Sequence, residues 1–248
     1  MAKPRKKHVQ LELPNPDKNG QHRGGARKGA GRKPKNGFRA RESHARRPAL
    51  KAREPVHVTL RVLPDVGRLR RRHIYHAVRR AMAVAFARSD FRIVHLSIQH
   101  DHVHLIIEAG DARSLAAGMS TFESMAARLI NEAITKRGCK RRGSVFADRY
   151  HAEIIRTPRQ ARYALRYVMN NWRKHGEDRD ALSRTWLIDP FSSAIHFDGW
   201  AELADWQTHF KPPNTYEPLP TSRPQSWLLR EGWRRGGGLI SMRDVPSA

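Results

Sequence analysis

The segment FRIVHLSIQHDHVHLIIE, residues Phe91–Glu108, contains two apolar runs that are separated by a short polar link. Both runs are rich in β-branched and other large apolar residues, a composition that is typical of β-strands. We predict one strand over Phe91–Gln99 and a second strand over His102–Glu108. Because the link Gln99–Asp101 is short, the two strands should pair as an antiparallel hairpin.

The sequence on either side of this hairpin predicts alternating strands and helices. The apolar spacing favours a strand over Pro55–Val62, an amphipathic helix over Leu69–Arg88, a helix over Asp111–Lys136, a fourth strand within Val145–Arg156 around AEIIR, and a helix that begins at Thr157-Pro158 and ends near Gly176. The order is β-α-β-β-α-β-α. Its first six elements match the ferredoxin-like arrangement, so we predict an α+β fold with one antiparallel sheet and an appended last helix.

The charge of the chain is strongly unbalanced. Among 248 residues, 48 are Lys or Arg and 23 are Asp or Glu, which gives a net charge of +25. A charge of this size predicts a polyanionic partner, and nucleic acid is the default. The single cysteine, Cys139, excludes a disulfide within the chain and a cysteine-based zinc finger. With no apolar run long enough for a membrane span and no signal-peptide pattern, we predict a cytoplasmic, nucleoid-associated protein.

Three regions follow from composition. Residues 1–54 carry 17 Lys and Arg against 4 Asp and Glu, lack apolar periodicity and should form a disordered basic tail. We expect Arg27, Lys28, Arg32 and Lys33 in this tail to contact DNA, with a purely solubilising tail as the alternative. Residues 55–176 form the predicted folded domain. Residues 177–248 form a partly ordered extension, whose aromatic segments DPFSSAIHFDGW and SWLLREGWRR should dock on its surface.

The hairpin also carries candidate metal ligands. Side chains alternate along a strand, so His102 and His104 should share one face, whereas His100 should lie in the turn. Two imidazoles could bind one cation with a third ligand from elsewhere, or they could be an ordinary structural pair.

The last predicted helix could supply that third ligand and a nucleophile. Tyr167 and Asn171 share a helix face, and an amide oxygen suits Mg²⁺ or Mn²⁺. Tyr163 lies one turn earlier on the same face, so periodicity does not choose between the tyrosines. Alternatively, these residues belong to a stripe that packs on the sheet, whose members would be Tyr163, Leu165, Tyr167 and Val168.

Several motifs resemble one family of DNA-processing enzymes. The stretch DHVHLII, residues 101–107, is similar to the His-hydrophobic-His (HUH) motif of single-tyrosine transposases. SVFADRYH at 144–151 resembles the segment before their fourth strand, RYVMNN at 166–171 resembles their nucleophile helix, and DPFSS at 189–193 resembles a downstream motif. The resemblance covers about residues 55–200 and is greatest to the REP-associated tyrosine transposases, relatives of the IS200-type transposases.

The resemblance implies a metal-dependent endonuclease and strand transferase acting on single-stranded or hairpin DNA through a 5′-phosphotyrosine. It assigns the metal, Mg²⁺ or Mn²⁺, to His102, His104 and Asn171, and the nucleophile to Tyr167. Arg149, within the second motif, is expected to contact DNA. Relatives act as monomers or homodimers, and both states stay open here.

The sequence departs from the family pattern at two positions. Asp101 stands where Asn is common and adds a carboxylate beside the histidine pair, and Trp172 follows Asn171 where Pro is common. Two other functions stay open on the same residues. One is a DNA- or RNA-binding regulator without catalysis, and the other is a metal-dependent hydrolase without a covalent step.

Overall fold

Four strands form one antiparallel sheet in the order β2-β3-β1-β4. The computed structural model describes residues 47–85, 88–179, 183–203 and 217–246. The elements are β1 (Val56–Arg61), α1 (Arg72–Ala85), β2 (Phe91–Ile98), β3 (His102–Ala109), α2 (Ala112–Thr135), β4 (His151–Ile154), α3 (Pro158–Lys174) and a short α4 (Trp227–Arg230). The predicted α+β, ferredoxin-like fold with an appended helix is confirmed, and His100 lies in the β2–β3 turn.

The register of the sheet separates the two faces of β3. Val58 pairs with Leu105 and Thr59 pairs with His104 across β1 and β3. A β-bulge at Val94 shifts the register between β2 and β3. The bulge inserts one extra residue into β2, so the apolar residues before it and those after it can point to the same side of the sheet. The apolar run in this strand is continuous, so the sequence pattern alone does not indicate the bulge.

Helices α1 and α2 cover one face of the sheet. Their apolar residues join those of the strands in one core, which includes Leu60, Leu105 and Phe122. Asp111 caps the start of α2 by accepting a hydrogen bond from the backbone N–H of Ser114 at 2.7 Å. The cap explains why the helix begins directly after β3.

Helix α3 lies on the opposite face of the sheet. Thr157 and Gln160 form a reciprocal capping box at its start, and Pro158 occupies the first turn. Leu165 and Val168 of α3 pack in a second core with Val94 and Ile106 of the sheet. The appended helix therefore covers the face to which His102 and His104 belong.

The C-terminal residues that the structure describes pack on this scaffold. Backbone N–H groups of Ile98 and Ser193 bond to the carbonyls of Phe191 and Leu96, so residues 191–193 run along the β2 edge. Asp189 accepts two hydrogen bonds of 2.8 Å from Arg70. Further along, Trp200, Trp233 and Ile240 complete the core beneath α3.

The described residues all belong to one compact unit, residues 41–248. Packing begins before the predicted boundary at residue 55, because Leu50 is buried in the core and the Arg47 guanidinium donates to the Tyr150 carbonyl at 2.7 Å. Most of the predicted tail, including Arg27, Lys28, Arg32 and Lys33, lies outside the described residues. In the part of the chain that the structure describes, no helix combines the length and apolarity that a membrane crossing requires.

Candidate active site between the sheet and the third helix

Two buried histidines on β3 form the centre of the site. The Nε2 atoms of His102 and His104 face each other at 3.0 Å, and the rings are nearly perpendicular. Both side chains are almost entirely excluded from solvent. The alternation of β3 places them together, and Ile106, next on the same face, anchors α3 above them.

Asp101 orients the ring of His102 from the other side. Its Oδ1 lies 2.7 Å from His102 Nδ1, so this nitrogen carries the proton and donates it to the carboxylate. The Nε2 lone pair of His102 is then free to bind a cation. Asp101 faces the nitrogen remote from His104, which makes it an orienting group for the pair.

Strand β1 supplies the partners of His104. Thr59 Oγ1 lies 3.1 Å and His57 Nε2 lies 3.2 Å from His104 Nδ1. Either group can accept a proton from Nδ1, and that tautomer leaves Nε2 of His104 as a lone pair directed at His102. The strand pairing of Thr59 with His104 creates this contact.

Tyr167 on α3 faces this histidine cluster. Its ring centroid is 5.0 Å from that of His104 and 5.7 Å from that of His57, both in edge-on arrangements. Lys174 lies over the same ring at 5.3 Å. Tyr163, one turn earlier, is 45% exposed, so a packed stripe containing both tyrosines is wrong. Of the two tyrosines, Tyr167 is the one whose ring packs against the site histidines.

Asn171 is fully buried one turn after Tyr167. Neither its amide oxygen nor its amide nitrogen has a hydrogen-bond partner among the described residues. A buried amide without partners is energetically unfavourable and suggests that its partner is a bound group. His175, one further turn along, has its ring 5.3 Å from that of His102, so this end of α3 reaches the histidine pair.

Burial sets the protonation states of the site. Burial and the neighbouring His151 lower the pKa of His57 to about 4. Burial and the adjacent imidazoles hold the pKa of His104 well below its usual value, and burial lowers that of His102 against the opposing effect of Asp101. These imidazoles are therefore neutral at pH 7, the form that binds metals. Burial raises the pKa of Tyr167, and the side chain of Asn171, which lies near the phenol but outside hydrogen-bond geometry, offsets part of this increase, so the phenol is protonated at rest.

The residues fit a divalent cation with mixed ligands. Two nitrogens 3.0 Å apart match neighbouring positions of an octahedral ion at about 2.1 Å from each ligand. The unpartnered Asn171 amide is a suitable third ligand. No group of three or more His, Cys, Asp or Glu among the described residues is arranged to hold a metal. A site with three protein ligands would therefore need the Asn171 amide.

The structure brings three of the predicted site residues together, His102, His104 and Tyr167, and Asn171 lies one turn after Tyr167 on the same helix. Arg149 is exposed in the loop before β4. The sequence reasoning missed three groups, His57, Thr59 and His175. Side-chain alternation on β1 would have placed His57 and Thr59 on one face of that strand, and the four-residue spacing would have placed His175 on the same helix face as Asn171. Neither pattern shows which strand lies beside β3.

Next to Tyr167 the site opens into a cleft of about 590 Å³. It lies between strands β1 and β4 and helix α3. His57, His104 and Tyr167 form one part of its wall. The reacting groups are therefore accessible to a ligand even though the histidine pair is buried.

A helical tyrosine facing a histidine pair on a central antiparallel strand is the arrangement expected of the single-tyrosine transposases that the motifs resemble. Residues 56–171 match the family model described as "Transposase IS200 like", which confirms the resemblance. Over these residues the chain is therefore similar to the IS200-like transposases.

The other comparisons add one likeness. A solved structure of a REP-associated tyrosine transposase bound to a REP hairpin matches with a TM-score of 0.49 and 17% sequence identity, covering 75% of this chain and 100% of that chain. No curated protein matches the sequence significantly.

Proposed function

We propose that this protein is a divalent-metal-dependent endonuclease and strand transferase for single-stranded DNA next to hairpins, and that Tyr167 is its nucleophile. One observation carries the proposal: the Tyr167 ring packs against His104, whose Nε2 faces that of His102 at 3.0 Å. A nucleophile and a cation-binding pair thus meet across the sheet–helix junction. The family match of residues 56–171 supports the same activity.

The proposed reaction exchanges one phosphoester for another. The phenolic oxygen of Tyr167 attacks the scissile phosphorus, a tyrosine–phosphorus bond forms, and the bond to the 3′-oxygen breaks. The strand leaves with a 3′-OH, and the phenolic proton is released on attack. A later 3′-OH reverses the step and joins new strands without ATP. His102, His104 and Asn171 would hold Mg²⁺ or Mn²⁺, which polarises the phosphate when bound.

The substrate and location follow from charge and access. The net charge of +25 suits a nucleic acid, and Tyr167 lines a cleft rather than a protruding surface. We propose that an unpaired strand enters this cleft more readily than a regular duplex. Arg149 and the basic residues Arg27, Lys28, Arg32 and Lys33 would hold flanking DNA. The expected location is the cytoplasm, bound to the nucleoid, as a monomer or a homodimer.

The test uses end-labelled oligonucleotides that carry a hairpin with randomised single-stranded flanks, incubated with the full chain and Mn²⁺. We expect a covalent protein–DNA adduct on a denaturing gel. Tyr167→Phe should abolish the adduct, because Tyr167 is the tyrosine of this helix whose ring packs against His104. Tyr163→Phe is the matched variant and should still form it.

Each other result points to a different function. An adduct that survives Tyr167→Phe but not Tyr163→Phe would identify Tyr163 as the nucleophile. Cleavage without an adduct would indicate a hydrolase, and DNA binding without cleavage would indicate a regulator.

A further inference from the structure

The cleft beside Tyr167 extends beyond the groups that the proposed reaction uses. Ile155 and Ala164 contribute apolar surface to it, and Pro246 also lies in its wall. Its volume of about 590 Å³ lies within the range of sites that enclose a small organic ligand. Tyr163 lies one helical turn from Tyr167, about 6 Å along the axis of α3.

Tyr163 is an exposed aromatic residue at this cleft. It is 45% exposed, although its helix buries most of its other large apolar residues. The guanidinium groups of Arg159 and Arg166 lie 5.7 Å and 5.4 Å from its ring centroid. An exposed ring flanked by arginines is a common platform for an unstacked nucleobase next to a phosphate.

Glu153 lines the cleft, although a negatively charged side chain is not expected where a polyanion binds. It lies on β4, where it pairs with His57 and faces the same side of the sheet. A carboxylate repels phosphate, but it is an acceptor for the exocyclic amine of a base. Gln160 also lines the cleft, and since its amide oxygen caps α3, its amide nitrogen is left to donate.

We propose that this cleft is a nucleobase subsite for the nucleotide that adjoins the scissile phosphate. The base stacks on Tyr163, its exocyclic amine donates to Glu153, and Arg166 lies beside the connecting phosphate. The subsite therefore selects an amino-bearing base, cytosine or adenine, at one position next to the cleavage point. This inference rests on the proposed function, because it requires a strand positioned for attack by Tyr167.

The test begins with the oligonucleotide pool described above. Adducted and released strands from the wild-type reaction are sequenced, so that the bases on both sides of the cleavage point are recorded. We expect enrichment of cytosine or adenine at one of these two positions. Glu153→Gln should reduce the enrichment by about tenfold, since an amide also accepts bases that lack the amine.

A second arm separates stacking from a general defect. On one selected oligonucleotide, Tyr163→Leu should lower the rate of adduct formation at limiting DNA by about tenfold, and Tyr163→Phe should restore most of that loss. Removing the base at the selected position should slow the wild type by a similar factor. In Tyr163→Leu, removal of the base should cause no further decrease in the rate of adduct formation. Trp227→Leu is the matched control, because Trp227 is 46% exposed, has Arg235 over its ring at 5.3 Å and does not line the cleft.

The outcomes distinguish the two proposals. If the wild type forms no adduct, both fall. If it forms the adduct but shows no base preference at either flanking position, or if base removal slows Tyr163→Leu as much as the wild type, the subsite is wrong and the proposed function stands. Thermal unfolding of each variant shows whether a lost rate reflects a lost fold.

Discussion

Asp101 and Thr59 hold the two histidines of β3 from different sides. Asp101 accepts the Nδ1 proton of His102, and Thr59 lies within hydrogen-bond distance of His104 Nδ1. Both contacts involve Nδ1 atoms, which point away from the space between the two Nε2 atoms. At the residue scale, the departure of Asp101 from the family pattern therefore concerns how the ring of His102 is oriented. Like the Asn that is common at this position in the family, Asp101 provides a side-chain oxygen that can accept a hydrogen bond from His102.

We predict that Asp101→Ala weakens metal binding by about tenfold or more, because the ring of His102 loses the group that fixes its tautomer. Asp101→Asn should have a smaller effect, since an amide oxygen can still accept the proton. Isothermal titration with Mn²⁺ measures the affinity. Asp198→Ala, at an aspartate whose side chain is 84% exposed, is the control. An unchanged Mn²⁺ affinity in Asp101→Ala would contradict the orienting role.

Helix α2 lies unusually close to the sheet at Gly118. A Cβ atom added at this glycine would lie 2.2 Å from the Phe91 ring, far inside van der Waals contact. Gly118 is therefore required by the approach of the helix and not by its backbone conformation. At the element scale, this contact sets the spacing between α2 and the β2 edge of the sheet.

Gly118→Ala should lower the free energy of unfolding by about 1–3 kcal/mol, because the ring of Phe91 has to move in a packed core. The loss is expected although alanine favours a helix by about 1 kcal/mol over glycine. Urea denaturation measures it. Gly110→Ala is the control, since its added Cβ would meet only Ser114 Oγ at 3.6 Å. If Phe91→Leu leaves the effect of Gly118→Ala unchanged, the clash is not its cause.

At the scale of the whole molecule, strand β3 is buried on both faces and the C-terminal residues complete the second core. His95 joins β2 to those residues, with its Nδ1 3.2 Å from Ser193 Oγ. Burial and the nearby His196 lower the pKa of His95 to about 3. The folded protein therefore holds this imidazole neutral far below the pH at which an unfolded chain would protonate it.

We predict that acid destabilises the fold through His95. Between the unfolded pKa of about 6.5 and the folded pKa of about 3, the unfolded chain binds the extra proton. The stabilisation is thus complete above pH 6.5, and it decreases by about 1.4 kcal/mol per pH unit as the pH falls through this window. Urea unfolding of the wild type and His95→Gln at several pH values should show a smaller slope in the variant.

The net charge leads to a prediction about salt. If Arg27, Lys28, Arg32 and Lys33 contact phosphates, replacing all four with alanine should reduce the slope of log Kd against log salt by roughly 0.7 for each lost contact on single-stranded DNA. Fluorescence anisotropy with a labelled oligonucleotide over a salt series measures the slope. An unchanged slope would mean that this segment only adds solubility.

The amino-acid sequence by itself determined the order of elements, the hairpin and the shared face of His102 and His104. These features depend on local periodicity, since side chains alternate on a strand and recur after about 3.6 residues on a helix. The capping signals Thr157 and Pro158 likewise placed the start of α3 correctly. The resemblance of the motifs added the pairing of Tyr167 with the histidines.

Only the tertiary structure decided what faces the histidine pair. Strand order put β1 beside β3 and thereby brought His57 and Thr59 to His104, although these residues are more than 40 positions apart in the chain. The rotation of α3 on the sheet directed Tyr167 toward the cluster and left Tyr163 exposed at the cleft. Periodicity gives the face on which a residue lies, but the neighbour of that face depends on contacts between distant segments of the chain.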